Sequence, residues 1–341
     1  DYISFEDMSI MRSNGTNSIF IQNESNHVRF ERCQFGGNVS SPNTSKDEYL
    51  TLRDISMAGY DLNLQQLQNQ PARNITIERV NLRDLTVSNS KEVTITSNQA
   101  RQFNFIADTI ITVRDNQISR GHSYENYIKG FYVANCRHAY LEENLISLDN
   151  HYRPRALEIS NSKSVTVLKN NININGRSNW SMGVYLNGTE SKNVVIQGNT
   201  ITSQGSAHRY GVYADNGDSV IIVNNLIKSI DLIANGNGIS VYNIVDILQV
   251  KDNTIETFKT RGIHARCESS NWIFTNNTIK NIEQIAIYAE KTGGVFTNNE
   301  VKGVVAGDGF HSIAANTVCT ENRFLNIQAG TGIVVNGADN L

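Results

Sequence analysis

A short phrase, a β-like run that ends in Asn-x-aliphatic, recurs along most of this 341-residue chain. Its marker asparagines follow one another at intervals of 22 to 29 residues, a period typical of solenoids, in which each repeat stacks on its neighbours. Weaker copies of the phrase upstream bring the predicted number of turns to 14. The marker asparagines are Asn116, Asn144, Asn170, Asn199, Asn225, Asn253, Asn277, Asn299 and Asn322.

The repeats have the composition of strands rather than helices. Segments 165–172, 194–201 and 220–227 are rich in β-branched residues and stop at Asn or Gly, and none keeps the 3.6-residue period of a helix. A second strand of the form Gly-aliphatic-x-aliphatic follows about halfway round each turn, for example at 183–188. Two or three short strands per turn predict an all-β fold, a single-stranded parallel β-helix solenoid.

The asparagine column is interpreted as structural. Asparagines stacked at one corner of successive turns can form a ladder of hydrogen bonds, and they tolerate the left-handed backbone of a sharp corner. We therefore expect the ladder to stabilise the fold and to take no part in catalysis.

Composition narrows the remaining classes of protein. No Pro-, Gly- or Ser-rich linker interrupts the repeat, which predicts one domain over residues 1–341. The net charge of -3 argues against a nucleic-acid binder, and the absence of a long apolar run predicts no membrane span. No zinc, EF-hand or phosphate-loop pattern occurs, so no metal or cofactor is predicted. Because the chain starts and stops close to strand phrases, we expect it to be a piece of a longer protein.

Alternation along the second strand predicts which side chains face outward. If the aliphatic residues of 211–216 face the core, Gly211, Tyr213 and Asp215 face outward. Applied to every turn, this rule predicts a groove with a floor of small residues beside two columns of aromatic and ionisable residues. The three columns are Gly130, Ala156, Gly183, Gly211, Gly238, Gly262 and Ala286; Tyr132, Glu158, Tyr185, Tyr213, Ser240, His264 and Tyr288; and Ala134, Ser160, Asn187, Asp215, Tyr242, Arg266 and Glu290.

Five consecutive turns are lengthened between the asparagine corner and the glycine strand, and we interpret the insertions as a wall beside the groove. Their basic and aromatic residues favour an anionic ligand, for which an acidic polysaccharide is the simplest candidate. The alternative is that these residues are strand formers solvated by water. The predicted substrate-binding residues are Tyr132, Arg155, Trp180, Tyr185, His208, Arg209, Tyr213, Tyr242 and Tyr288.

The Gly-Ile-x-Val strands and Asn-x-Ile corners resemble the right-handed parallel β-helices of the pectin-lyase-like superfamily over about all of the turns. The resemblance implies a right-handed β-helix that binds, cleaves or epimerises polysaccharide outside the cell, either secreted or on a virion surface. The likeness to phage tailspike bodies implies a depolymerase and a homotrimer. The catalytic motifs of polygalacturonases and alginate epimerases are not reproduced, so catalytic residues have to be sought in the outward columns and the wall.

Hydrolysis needs two carboxylates on either side of the scissile bond. Glu158 and Asp215, two turns and one column apart, are the candidates, and Asp149 in the wall is a third carboxylate. This pair predicts a glycosidase.

Elimination from a uronic acid needs a base together with a cation that neutralises the carboxylate. Tyr213 or His264 could act as the base, with Arg266 or Arg155 as the cation. A lyase therefore remains open beside the glycosidase, and a non-catalytic glycan-binding adhesin or a structural shaft is the alternative to both. The predicted catalytic residues are Glu158, Asp215, His264, Arg266 and Asp149.

Overall fold

Parallel strands stack turn upon turn along one axis in the computed structural model of this protein. The structure describes residues 2–11, 17–21, 27–41, 49–65, 74–121, 123–177, 180–205, 208–267, 271–291 and 293–336. Within these ranges the chain contains strands and no α-helix, and every strand pair is parallel. The predicted all-β class and parallel β-helix are therefore confirmed.

The first sheet contains the strands that lead into the asparagine corners. It has 14 strands, and each strand between the two ends pairs with the strands one turn earlier and one turn later. The strands are Tyr2–Glu6, His27–Glu31, Tyr49–Arg53, Ile75–Glu78, Glu92–Thr96, Ile110–Arg114, His138–Glu142, Val165–Leu168, Val194–Gln197, Val220–Val223, Leu248–Lys251, Trp272–Thr275, Val295–Thr297 and Val318–Thr320.

The second sheet follows the asparagine corners. As far as the chain is described, twelve turns have a strand in this position, and single bridges at Ser56 and Asn81 replace it in the other two. In three of the lengthened turns these strands have 6 to 8 residues, so part of the predicted wall is a continuation of this sheet. The strands are Ser9–Ile10, Gln34–Phe35, Gln99–Ala100, Gln117–Arg120, Ser123–Asn126, Leu145–Tyr152, Asn171–Gly176, Thr200–Gly205, Leu226–Ser229, Thr254–Glu256, Thr278–Ile282, Glu300–Val304 and Arg323–Ile327.

The third sheet contains the predicted glycine strands and again has 14 members. Its strands are longest in the middle of the solenoid, where two of them reach 10 residues. The strands are Asn17–Phe20, Asn38–Ser41, Leu62–Gln65, Asp84–Ser88, Gln102–Ile106, Lys129–Ala134, Arg155–Ser160, Ser181–Asn187, His208–Gly217, Asn235–Ile244, Arg261–Cys267, Ile285–Lys291, Phe310–Ser312 and Ile333–Val335.

The core is a column of stacked apolar side chains between the three sheets. The rings of Phe274 and Phe296, on successive turns, lie parallel with centroids 4.4 Å apart, and those of Phe103 and Phe131 are 5.3 Å apart. Because each turn buries its apolar residues against only two neighbours, stability is distributed along the axis.

The asparagine column forms the predicted ladder. The Oδ1 atom of Asn199 accepts hydrogen bonds from the backbone N of Asn170 at 2.8 Å and from its Nδ2 at 3.0 Å. The same arrangement is present from Asn98 onward, one turn before the first marker. One detail differs from the prediction, because the left-handed residue at a corner precedes the marker asparagine, as at Asp115 with φ 55°. Short polar residues tolerate that conformation.

The glycine column lies inside the solenoid, and the predicted groove floor is wrong. Lys129 pairs with Arg155 and Phe131 pairs with Leu157, so the pairing skips Gly130 and Ala156 alike and keeps its register. The Cβ positions of the column's glycines lie against the isoleucines of the second sheet, which are fully buried. Gly130 and Phe131 are consecutive and both buried, so the alternation breaks at this position and the residues before it face the opposite way from the prediction.

Replacing Gly211 by alanine is expected to destabilise the protein by about 1–3 kcal/mol, the usual cost of overpacking. The added Cβ would lie 2.1 Å from Cγ2 of Ile227 and 2.6 Å from the carbonyl oxygen of Gly238. Chemical denaturation measures the change. Gly121→Ala is the matched control, since a Cβ there meets no atom within 4 Å. Equal losses in both variants would refute the inward placement.

Candidate functional site

This break in the alternation turns the residue before each glycine or alanine outward. The Nζ atom of Lys129 lies 3.4 Å from the ring centroid of Tyr132, and the Arg155 guanidinium lies 4.3 Å from that of Tyr185. Strict alternation missed this column, although charged residues directly before a small one are the sequence signal for it. In register the column comprises Lys129, Arg155, Met182, Tyr210, Asn237 and Arg261, of which Met182 and Asn237 are buried.

The two predicted columns of aromatic and ionisable residues lie side by side on the third sheet. Glu158 pairs with Tyr185, and Tyr185 pairs with Tyr213 on the next strand. Tyr242 pairs with Asp215 on one side. We call the outward side of the strands from Lys129–Ala134 to Ile285–Lys291 the site face.

Aromatic rings cover the centre of the site face. The Tyr213 ring centroid lies 5.7 Å from that of Tyr185 and 5.3 Å from that of Tyr242. Trp180, 44% exposed, lies at the margin with its centroid 6.2 Å from that of Tyr213. Rings of this kind present flat apolar faces with polar edges, which suit the faces of sugars. This aromatic platform comprises Trp180, Tyr185, Tyr210, Tyr213 and Tyr242.

Glu158 lies at one end of the site face between two cations. Its Oε1 is 3.1 Å from Nζ of Lys129, and its Oε2 accepts a hydrogen bond from Nη1 of Arg155 at 2.8 Å. The side chain is buried. Because both carboxylate oxygens are engaged, the contacts suit a residue that orients the two cations better than one that delivers a proton.

A cleft of about 380 Å³ opens at the other end of the platform, and His264 is buried in its lining. The His264 Nδ1 atom lies 2.7 Å from the Tyr242 hydroxyl and 3.2 Å from Nη1 of Arg261. Its Nε2 atom lies 3.2 Å from Oε1 of Glu290. The cleft is lined by His208, Tyr210, Asn235, Gly236, Asn237, Tyr242, Thr260, Arg261, His264 and Gln284.

The contacts of His264 fix its tautomer. A guanidinium can only donate, so Nδ1 accepts from Arg261 and the ring proton is on Nε2, facing Glu290. Burial, helped by the charge of Arg261, lowers the pKa of His264 to about 4. Burial raises the pKa of Tyr242 to about 12. At neutral pH the pair is therefore a neutral imidazole and a protonated phenol.

Arg261 is placed to hold an anion in this cleft. Its guanidinium lies 4.4 Å from the ring centroid of Tyr288. Among the described residues no carboxylate lies within ion-pair distance of it, and its buried Nε has no hydrogen-bond partner. The sequence prediction named Arg266 and Arg155 as cations and missed Arg261.

Two predicted site residues lie apart from the site face. Asp149 is on the second sheet, where it accepts a hydrogen bond from Nδ2 of Asn175 at 2.6 Å and lines a different cleft, of about 540 Å³. Arg209 is buried, with its Nη1 2.7 Å from Oδ1 of Asp231 and 2.7 Å from Oγ of Ser229. Arg209 is therefore held by contacts within the protein rather than presented to a ligand.

The remaining predicted residues lie on or beside the site face. Asp215 accepts a hydrogen bond from Nδ2 of Asn243 at 2.9 Å. Arg266 is exposed and pairs in register with Tyr242 and Glu290. In the part of the chain that is described, no group of three His, Cys, Asp or Glu side chains could hold a metal ion.

Comparison with known proteins supports the fold. A family model described as a right-handed β-helix region matches residues 182–341. The periplasmic alginate epimerase AlgG is similar in structure, with a TM-score of 0.52 at 10% identity over 89% of this chain and 76% of that one. The family model and the similarity to AlgG thus agree with the parallel β-helix fold, which that family model describes as right-handed over residues 182–341.

Two further solved structures are more distant. The Dettilon tailspike protein has a TM-score of 0.40 at 15% identity, over 89% of this chain and 62% of that one. The A-module of the mannuronan C-5 epimerase AlgE6 from Azotobacter vinelandii has a TM-score of 0.35 at 10% identity, over 93% and 88%. No curated protein matches this chain in sequence. In the described residues, no helix has the length and apolar character needed to cross a membrane.

Proposed function

We propose that this β-helix binds an acidic polysaccharide along its site face and cleaves it by elimination at a uronate held in the His264 cleft. One observation carries the proposal: a neutral His264 contacts the Tyr242 hydroxyl beside Arg261, a cation with no carboxylate partner among the described residues. The fold agrees with it, since AlgG is also a polysaccharide-modifying protein.

Arg261 has the first role in this reaction. Its guanidinium pairs with the uronate carboxylate, and it withdraws charge from the group whose neighbouring carbon has to lose a proton. The aromatic platform holds the flanking sugars, so that the uronate reaches the cleft in a fixed orientation.

Tyr242 and His264 move the proton. His264 Nδ1 accepts the phenol proton of Tyr242 while the phenolate oxygen takes the proton from the carbon beside the carboxylate. The bond to the glycosidic oxygen on the next carbon breaks, and a carbon–carbon double bond forms. The imidazolium returns its proton through Tyr242 to the departing oxygen. The reaction therefore needs no other reactant and leaves one unsaturated uronate and one new reducing end.

The glycosidase alternative depends on Glu158 and Asp215. A general acid has to present a proton to the leaving oxygen, whereas both oxygens of Glu158 are engaged by Lys129 and Arg155. These contacts favour elimination over hydrolysis.

Incubation with purified acidic and neutral polysaccharides tests the proposal, with reducing ends and the absorbance of unsaturated uronates followed together. Both signals are expected from an acidic glycan. New reducing ends without the absorbance of unsaturated uronates would indicate a hydrolase. Binding without either signal would indicate an adhesin. A polysaccharide substrate is consistent with a protein that works outside the cell, either secreted or on a virion surface. The homotrimer stays a prediction, which measurement of the molecular mass in solution would test.

The value of kcat/KM is expected to rise with pH through about 4 and to stay level at neutral pH. His264 has to be neutral to accept the Tyr242 proton, and burial lowers its pKa to about 4, so activity is lost only when the pH falls through that value. Initial rates over a buffered pH series measure this acid limb, the range of pH over which activity is lost. An acid limb near 6.5, the ordinary histidine value, would exclude this His264 environment.

A further inference from the structure

The site face carries positive charge at its two ends. Beside the first end, in the connection between the strands Leu145–Tyr152 and Arg155–Ser160, the Arg153 guanidinium lies 5.1 Å from the ring centroid of Tyr127 and 5.7 Å from that of Tyr152. As far as the structure is described, Arg153 has no carboxylate within ion-pair distance, and its Nε has no hydrogen-bond partner. Lys129 and Arg155 share the single carboxylate of Glu158 nearby. We call Lys129, Arg153 and Arg155 the first cationic cluster.

The second end carries the other positive charges. Arg261 lines the cleft without a carboxylate partner in the described chain, and Arg266 is exposed on the same strand. The nearby carboxylate is Glu290, which faces His264. We call Arg261 and Arg266 the second cationic cluster.

The strands between the two clusters offer no cation to a ligand. Ser181–Asn187, His208–Gly217 and Asn235–Ile244 contain one basic residue of the Lys or Arg type, Arg209, which is buried against Asp231. Arg177 belongs to the connection that precedes these strands. The outward carboxylate in this stretch is Asp215, so the middle of the face is aromatic and negatively charged.

The distance between the clusters spans several sugars. Arg155 and Arg261 occupy the same column, four strands apart. At about 4.8 Å per strand, this corresponds to about 19 Å.

We propose that the ligand is an acidic heteropolysaccharide in which neutral sugars separate the uronates; this inference rests on the proposed function. A carboxylate at each end would meet one cationic cluster, and the neutral sugars between them would stack on the aromatic platform. A homopolymer of uronates would instead place unpaired carboxylates over the platform and beside Asp215. Unpaired like charges of this kind select against the wrong ligand.

Titration of the His264→Gln variant, which we expect not to degrade its ligand, tests the inference with defined probes. Gellan and xanthan represent acidic heteropolysaccharides, and polygalacturonate and alginate represent polyuronates. Binding of a heteropolysaccharide at least about tenfold tighter than either polyuronate is expected. Equal or tighter binding of a polyuronate would overturn the inference, while unsaturated products formed by the native protein would still support elimination. No binding of any acidic glycan, together with no product, would overturn both.

Two substitutions test separately the central negative charge and the first cationic cluster. Asp215→Asn is expected to raise the affinity for polygalacturonate by about fivefold, because it removes the central repulsion. Arg153→Ala is expected to lower the affinity for the heteropolysaccharide by about fivefold or more. Asp246→Asn is the matched control, since it removes an equal charge from an exposed connection after the third sheet. An equal gain in both aspartate variants would mean that only net charge matters and would overturn the inference.

Discussion

Replacing His264 by glutamine is expected to lower kcat on an acidic polysaccharide by about 10²- to 10⁴-fold, with little change in the affinity for the glycan. The glutamine side chain can keep polar contacts with Tyr242 and Glu290, but it cannot accept the phenol proton. Binding depends on the aromatic platform and the cationic clusters, so it is retained. Rates with saturating glycan, together with titration of the inactive variant, measure the two quantities separately.

His311→Gln provides the matched control. His311 lies on the same column two strands beyond His264, and its Nδ1 is 2.8 Å from Oδ2 of Asp308. It therefore resembles His264 in having a carboxylate partner, but it lies outside the residues that line the cleft. An equal loss of kcat in both variants would mean that the column as a whole, rather than the His264 cleft, supports the activity.

The parallel solenoid was predictable because its register is encoded by the repeat itself. Successive glycine strands pair in constant register, so aligning their Gly-aliphatic-x-aliphatic phrases also aligns Tyr185 with Tyr213 and Tyr242 with Arg266. No long-range pairing had to be inferred. The two outward columns of aromatic and ionisable residues follow directly from that alignment.

The glycine strands show where alternation fails. The rule assumes that successive side chains point to opposite faces, whereas Gly130 and the following Phe131 both face the core. Because of this error, the sequence prediction did not place Lys129 and Arg261, two of the cations of the site face, on its outward side. Strict alternation would have placed this lysine and arginine in the core as unpaired charges, which is the physical signal that the assignment needed correction.

Asp149 and Arg209 lie apart from the site face for a different reason. The sequence shows that a turn is lengthened but does not show whether the insertion forms a loop or extends a strand. Leu145–Tyr152 extends the second sheet and carries Asp149 onto another face. Arg209 is paired with Asp231, a residue of the following turn whose position no periodic rule fixes. Both placements depend on tertiary contacts rather than on the repeat.

The asparagine ladder carries the second large expected effect, because Asn199→Ala is expected to destabilise the protein by about 3–5 kcal/mol. Alanine removes the acceptor for the backbone N of Asn170 and the donor to the carbonyl oxygen of Val167. The partners that remain are buried, so each lost bond costs the desolvation of a polar group as well as the bond. Thermal and urea denaturation of the purified protein measure the loss.

Asn171→Ala is the matched control for the ladder, because Asn171 is exposed and its amide oxygen accepts only a long hydrogen bond, at 3.4 Å, from Asn173. This variant is expected to change the free energy of unfolding by less than about 0.5 kcal/mol. A comparable loss in both variants would show that asparagine side chains in general, rather than the buried corner, stabilise the turns. Loss at Asn199 alone, with glycan binding unchanged, would establish that the most regular feature of this sequence holds the scaffold while the chemistry lies on the third sheet.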